Sequence, residues 1–568
     1  MPSGRKLCAL CALVLGNGGT ALTQDRTQAR SMVITRRGIV ATSQTLASQA
    51  GAQVLARGGT AMDAAIAANA VLHVVEPSMN GMGGDLFVIY RQASGEIAGL
   101  NASGWAPKAL TRQYLRNQGH SSMPGEGILS VTVPGCVDGW EKLHKKFGRL
   151  SWAELFRPAI YYATNGFPLT ELIHQHWEDV LGKLRADENG RRIFLRDGQP
   201  PKLGDIFRNP PLAQALKLVA EGGAAAFYRG PIARSIMATS KRLGGVLEAE
   251  DLAEFASEWV RPIATDYRGW KVFELPPNSQ GIAALEMLNI MEKFRLGEFG
   301  ALGADAFHYK IEAQKLAYQD LQRYVGDPRF GRMPVDGLLS KSYAAERARL
   351  IQAGKARCDA GPGEPLAAAG DTIYLSVVDA DGNVASLIQS IYLTFGSGVV
   401  VDDYGFHLHN RGALFTLQQG HPNEVAPRKR PFHTIIPAYM EKGDLHIGFG
   451  IMGGLNQAQA HAQFVSYVVD HGMNIQAALE APRFVKMNFS GCDLMLENRA
   501  PSETVEALRE RGHWVQMLGA YSMSVGGGQA VLHDARAKVN YGASSPRKDG
   551  AAVPEPDPYF ADAPKAKK

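Results

Sequence analysis

Cysteine is scarce in this chain, with five in 568 residues. Cys8 and Cys11 lie near the start, and Cys136, Cys358 and Cys492 are far apart. The last three show no metal-ligand spacing and are odd in number, so the sequence presents neither a zinc site nor a disulfide framework. None stands in a recognisable nucleophile context. Long apolar runs are also missing. "LCALCALVLG" (7–16) is too short to span a bilayer, and no other segment is longer and equally apolar. Neither sign of charge dominates: 60 Lys and Arg face 55 Asp and Glu, a net of +5. That balance leaves no nucleic-acid footprint. The one dense basic run, Arg428-Lys429-Arg430, reads as a short solvated cluster. No internal repeat is present.

What remains is ordinary globular composition, 45% hydrophobic and 20% charged, with material for a large core. The N-terminus has the order of a secretory signal. Arg5 and Lys6 precede the apolar 7–16, and small residues follow in "GTALTQ" (19–24). A cleaved segment over 1–23 is expected, removing Cys8 and Cys11 and placing the protein in the periplasm or outside the cell. If 1–23 is only a frayed terminus, the protein is cytoplasmic.

Helical and strand patterns alternate along the chain. Helices are expected over 47–55, 63–75, 303–325, 456–472, 475–480 and 502–512, with a capped amphipathic helix within 148–170. Residues 171–355 read as helix-rich. Strands are expected over 86–90, 372–379, 384–392, 434–440 and 445–450, with a disordered tail from about 550. Strands stacked with long helices in both halves point to one α+β domain.

Two segments carry chemistry. "GDTIYLSVVDADGNVASLIQS" (370–390) is a hairpin. A two-residue Asp381-Gly382 loop sets polar residues against apolar ones. A three-residue Ala380-Asp381-Gly382 loop pairs Val378 with Val384, Ser376 with Ser386, Tyr374 with Ile388 and Leu375 with Leu387. The second register matches like with like and is preferred. It sets Thr372 beside Ser390. A Thr hydroxyl needs a base, and a chain cut before Thr372 would supply one as the new α-amino group. A plain cross-strand Thr–Ser hydrogen bond is the other reading. The second segment is "GFGIMGGLNQAQAHAQFV" (448–465), where a strand ends, Gly453-Gly454 turns and a helix begins. Adjacent N–H groups there suit an anion: an oxyanion in acyl transfer, or a phosphate, although the Lys-Ser/Thr of a P-loop is missing. A simple tight turn also fits.

Together these segments resemble the γ-glutamyltranspeptidase family of N-terminal-nucleophile hydrolases, from about Gly38 to Ser545. The marks are "GGTAMDAAIAANAVLHVVEPSMNGMGGDLF" (58–87), "VPGCVDGW" (133–140), "KLAYQDLQRYVGDPRF" (315–330), "DTIYLSVVDADGN" (371–383), "FGSGVVV" (395–401) and "IMGGLNQAQAH" (451–461). The resemblance implies a four-layer αββα sandwich made as a self-cleaving precursor. Thr372 would split the chain after Asp371 into a large subunit (33–371) and a small one (372–568). It would then attack a small-molecule acyl amide, with Ser390 orienting it and the Gly453 and Gly454 amides holding the oxyanion. Water or an acceptor amine would release the acyl group. No metal or organic cofactor is implied, and no nucleic acid or membrane partner.

The pocket departs from well-studied γ-glutamyl enzymes. Their carboxylate-binding Arg falls near Ser103 here. Their Asp for the glutamyl amino group becomes Leu414, their Ser-Ser pair becomes His433-Thr434, and an Asn becomes Tyr392. The pattern looks closer to the branch with glutaryl-cephalosporin acylases and oxamate amidohydrolase. Tyr392, Asn410, Arg411, His433 and Thr434 are the expected substrate-binding residues, with Arg411 offering a planar fork for a carboxylate. The activity expected is amide cleavage on a γ-glutamyl or similar acyl group. The alternatives are a glutaryl or oxamate-type acylase and a relative that only binds its ligand.

Overall fold

The computed structural model describes residues 28–358, 372–489 and 491–559. The expected signal segment and the junction 361–371 lie outside the described residues.

Two seven-stranded sheets lie face to face. In one the order is Ala551–Pro554, Ile39–Thr42, Ile373–Val378, Val384–Ser390, Asp85–Arg91, Ile97–Ala102, Glu258–Val260. In the other it is Val33–Thr35, Val539–Ser544, Gly528–Asp534, Leu445–Ile451, Ala438–Lys442, Trp270–Glu274, Ile263–Tyr267. Every pairing within these two sheets is antiparallel. Both sheets draw strands from both sides of residue 371. Ile39, Phe87, Tyr374, Ile388, Ile435 and Val531 fill the space between them. Helices Thr45–Ala56, Ala61–Val75 and Cys136–Phe147 cover the first sheet, and helices Gly281–Met291 and Asn456–Val469 cover the second. The result is the expected αββα sandwich.

Local chemistry explains the central elements. Thr60 caps the Ala61–Val75 helix in a capping box with Asp63, and all fifteen helical residues are buried. Its alanines let it lie close on the first sheet. The hairpin has the register preferred from the sequence, Val378 opposite Val384 and Ser376 opposite Ser386, with Gly382 at φ +87°. Leu375, Val377, Ala385 and Leu387 face the helices, while Tyr374, Val378 and Ile388 face the other sheet. By the same alternation, Thr372 and Ser390 face the inter-sheet space.

Four expectations need correction. Residues 434–437 are not strand, which begins at Ala438. Ala551–Pro554 is not tail but an edge strand on Ile39–Thr42. The Arg428-Lys429-Arg430 run is not solvated. Lys429 and Arg430 are buried, and Arg428 lies over Trp105 and pairs with Glu254 at 2.6 Å. Finally, Cys358 and Cys492 form a disulfide with Cα atoms 5.0 Å apart, leaving Cys136 buried and free. The odd count concealed the pair because Cys136 packs as a small apolar residue.

Burial also sets an acid limit. Desolvation pushes His73, His407 and His433 down to about 3. Below the ordinary histidine value the unfolded chain takes up protons that the folded chain refuses. Stability is therefore lost as pH falls from about 6.5 toward 3, by on the order of 2 kcal/mol per histidine at pH 5. Glu274 and Glu286, whose carboxyls burial pushes well up, oppose part of this. Urea midpoints are expected to drop between pH 7.5 and 5, and His407→Gln to flatten the slope. A pH-independent midpoint over that interval contradicts the assignment.

Candidate active site

Thr372 is buried at the head of its strand. Its hydroxyl lies 3.3 Å from Ser390 Oγ, to which it donates, and 3.4 Å from Gln457 Nε2. Neither group is a base at neutral pH. Gln457 sits in the first turn of the Asn456–Val469 helix, and its Oε1 accepts from Ile436 N at 3.0 Å. The hydroxyl is thus held between the two sheets' strand ends.

Beyond Ser390 the chain turns sharply. Tyr392 has φ +77°, uncommon for a side chain of that size, and its N–H donates to Ser390 Oγ at 2.8 Å. The Arg411 guanidinium lies 4.6 Å above the Tyr392 ring. Arg411 is fully buried, and its Nη1 donates to Thr434 Oγ1 at 2.7 Å. Its Nε and Nη2 have no hydrogen-bond partner among the described residues. Burial pushes Arg411 down to about 10, with the Asp85 charge resisting, so the cation persists at neutral pH. A buried cation with open donors is costly unless an anion reaches it. Asn410 belongs to the frame: its amide accepts from Leu393 N at 3.1 Å and donates to Gly125 O at 2.7 Å.

A buried cluster missed in the sequence reading lies alongside. Asp85 pairs with Ser390 across the sheet, and its Oδ1 accepts from Gly104 N at 2.9 Å. Its Oδ2 faces His433 Nε2 at 2.9 Å and His409 Nδ1 at 3.4 Å. Burial pushes the Asp85 carboxyl up, but the two histidines outweigh it and hold it well below the carboxylate range. His433 is also close to Ile435 N, 3.3 Å from its Nδ1. Both its ring nitrogens are engaged, so it holds Asp85 rather than offering a free donor to a ligand. Asp85 stands in the glycine-rich "GMGGDLF" and His409 in "HNRGALF", but only the fold joins them.

The Gly453-Gly454 turn follows the Leu445–Ile451 strand. Gly453 has φ +121° and Gly454 φ +58°, conformations that suit glycine. Their carbonyls accept from Asn456 N and Gln457 N at 3.0 and 3.2 Å. Gln280 Nε2 also donates to Gly454 O at 2.8 Å and to Thr434 O. Neither glycine N–H has a hydrogen-bond acceptor among the described residues. Two such adjacent donors are rare and are placed to take an anion.

The other departures are filled structurally. Ser103 Oγ donates to Asn101 Oδ1 at 2.7 Å, and the nearby Arg430 is committed to Ser103 O at 3.0 Å and Glu258 at 2.7 Å. Leu414 packs in the core of the second sheet. Among the described residues, one group has metal-ligand types in reach of each other: His308, Glu312 and His513. There His308 Nδ1 faces His513 Nε2 at 2.9 Å, and Lys315 pairs with Glu312 at 2.6 Å.

The layered sheets and the threonine heading a central strand define an N-terminal-nucleophile hydrolase fold. Solved structures of that class match it. A cephalosporin acylase from Bacillus halodurans superposes with TM-score 0.87 at 39% identity, covering 95% of this chain and 99% of that one. The γ-glutamyltranspeptidase sequence profile matches residues 47–555, so the chain belongs to that family. Similar relatives are the glutathione hydrolase-like YwrD proenzyme of Bacillus subtilis (strain 168) and the oxamate amidohydrolase proenzyme of Klebsiella pneumoniae. The first is 38% identical and covers 92% of this chain and 99% of the relative. The second is 33% identical with the same two coverages, 92% and 99%. The chain is an enzyme, an autoprocessed amidohydrolase or acyltransferase.

Proposed function

We propose that this chain cuts itself between Asp371 and Thr372 and then cleaves amides of a dicarboxylic acid that bears no α-amino group, the acyl group keeping one free carboxylate. The observation that carries the substrate reading is Arg411, a buried cation with two open donors that lies over the ring of Tyr392, whose own N–H donates to Ser390 Oγ. Thr372 Oγ attacks the amide carbon and its proton passes to the freed α-amino group. That group titrates at roughly 7.7–8.0 in model compounds, so it accepts and returns a proton near neutrality. Ser390 orients it, and the Gly453 and Gly454 N–H groups take the oxyanion. The tetrahedral carbon collapses to an ester as the amine leaves with the proton. Water, or an acceptor amine, then attacks the ester while the α-amino group takes its proton.

The subunits are residues 33–371 and 372–568. Residues 1–23 act as an export signal, and the disulfide suits an oxidising compartment outside the cytoplasm. Among the described residues no helix is long and apolar enough to cross a membrane.

A γ-glutamyl substrate is the second reading, favoured by the glutathione hydrolase-like relative. A panel of glutaryl-p-nitroanilide, γ-glutamyl-p-nitroanilide, glutathione and oxamate separates them. The glutaryl anilide is expected to turn over well and the γ-glutamyl anilide weakly, because Leu414 replaces the acidic partner of the α-amino group. Efficient glutathione hydrolysis overturns the dicarboxylic reading.

A further inference from the structure

The disulfide joins Cys358 to Cys492 across 134 residues of sequence. One cysteine precedes the Asp371–Thr372 bond and the other follows it. The structure assigns this pair as a covalent link between the two subunits, an inference that rests on the cut proposed above. In the precursor the bond only closes a loop. Once the chain is cut, it becomes the sole covalent connection between the halves among the described residues.

The surroundings make this a built junction. Cys358 ends the described part of the large subunit and is exposed, whereas Cys492 is fully buried. Two residues before Cys358, Ala356 N donates to Arg511 O at 2.7 Å. Arg357 N meets Glu312 at 3.2 Å, and Lys315 Nζ donates to Arg357 O at 2.9 Å. Lys315 Nζ also lies 3.7 Å from Cys492 Sγ. The last turns of the large subunit are therefore seated between its own Ala304–Tyr324 helix and the small subunit's Gly512 region. A cut at 371 removes the downstream chain that holds this end in place. The disulfide replaces that restraint thirteen residues upstream of the cut.

The link is not needed for the halves to stay together in native buffer. The small subunit's Ile373–Val378 and Val384–Ser390 strands lie between the large subunit's Ile39–Thr42 and Asp85–Arg91 strands. Its effect appears under denaturation, where a tethered pair unfolds as one molecule and an untethered pair as two.

Reductive opening follows from the exposure. An external thiolate reaches the Cys358 sulfur, forms a mixed disulfide there and expels Cys492 as a thiolate beside the Lys315 ammonium. A second external thiol then releases Cys358, so two thiols are oxidised to one disulfide as the protein bond is reduced.

The test uses full-length protein secreted through an oxidising compartment and alkylated before denaturation. The expected result is one band at the full mature mass without reductant and two bands with it. Cys358→Ser is expected to give two bands in both lanes. Its urea midpoint should also vary with protein concentration, while that of the wild type does not. Two bands without reductant in the wild type, with Cys358 and Cys492 both alkylated, overturn the tether while the cut stands. A single band with reductant overturns the cut and the tether together. Peptide mapping of that uncut chain then shows whether the bond itself is present. Should Cys358→Ser not fold, the wild-type pair of lanes decides alone.

Discussion

Thr372→Ala is expected to yield a single uncut chain on a reducing gel and to lose amide turnover by a factor of roughly 10⁶, the scale seen when a catalytic nucleophile is removed. The groups 3.3 and 3.4 Å from the Thr372 hydroxyl, Ser390 Oγ and Gln457 Nε2, orient it without accepting its proton at neutral pH. In the mechanism proposed above, the base is the amino group that the cut itself creates. Thr372→Ala therefore removes two functions at once, since it blocks the cut and leaves no nucleophile. Thr372→Ser keeps the hydroxyl and loses only the methyl that fixes its rotamer. Slow but complete processing is expected, with reduced turnover. Normal cleavage in Thr372→Ala would place the nucleophile elsewhere.

Arg411→Met is expected to lower kcat/KM for a glutaryl anilide by roughly 10²–10³, equivalent to about 3–4 kcal/mol, because a buried carboxylate then loses its charged partner. Arg411→Lys keeps the charge but not the fork, so an intermediate loss is expected. The control is the neutral carboxamide analogue of the same acyl group. Wild type should use it poorly, and Arg411→Met should change that rate little. Equal losses on both substrates would mean that Arg411 only supports the Tyr392 turn. Processing on a reducing gel separates a binding defect from a folding one.

The hairpin register was legible because one choice of loop set Thr372, Ser376 and Ser386 against apolar residues, while the other paired Ser376 with Ser386 and Thr372 with Ser390. That register alone predicted the contact between Thr372 and Ser390 found at 3.3 Å. The alanine-rich Ala61–Val75 helix was legible from its composition and its stop at Pro77. Much of the second sheet was not. Ile263–Tyr267 and Trp270–Glu274 are five residues each, and all four of Ile263–Tyr267, Trp270–Glu274, Gly528–Asp534 and Val539–Ser544 carry charge or glycine within the strand. Their pairing, rather than their pattern, makes them strands. The Asp85 cluster was hidden for a related reason, since its histidines come from residues 409 and 433 and meet only in three dimensions. Arg411 was legible as a candidate. Its open donors were not, because that depends on what the fold leaves beside it.

The central claim is that Thr372 becomes a chain terminus. Intact-mass measurement with N-terminal sequencing of the purified mature protein, fully reduced, tests it most directly. The account predicts two chains, the smaller beginning Thr-Ile-Tyr-Leu-Ser at residue 372. A single chain, or a smaller chain beginning at any other residue, contradicts it.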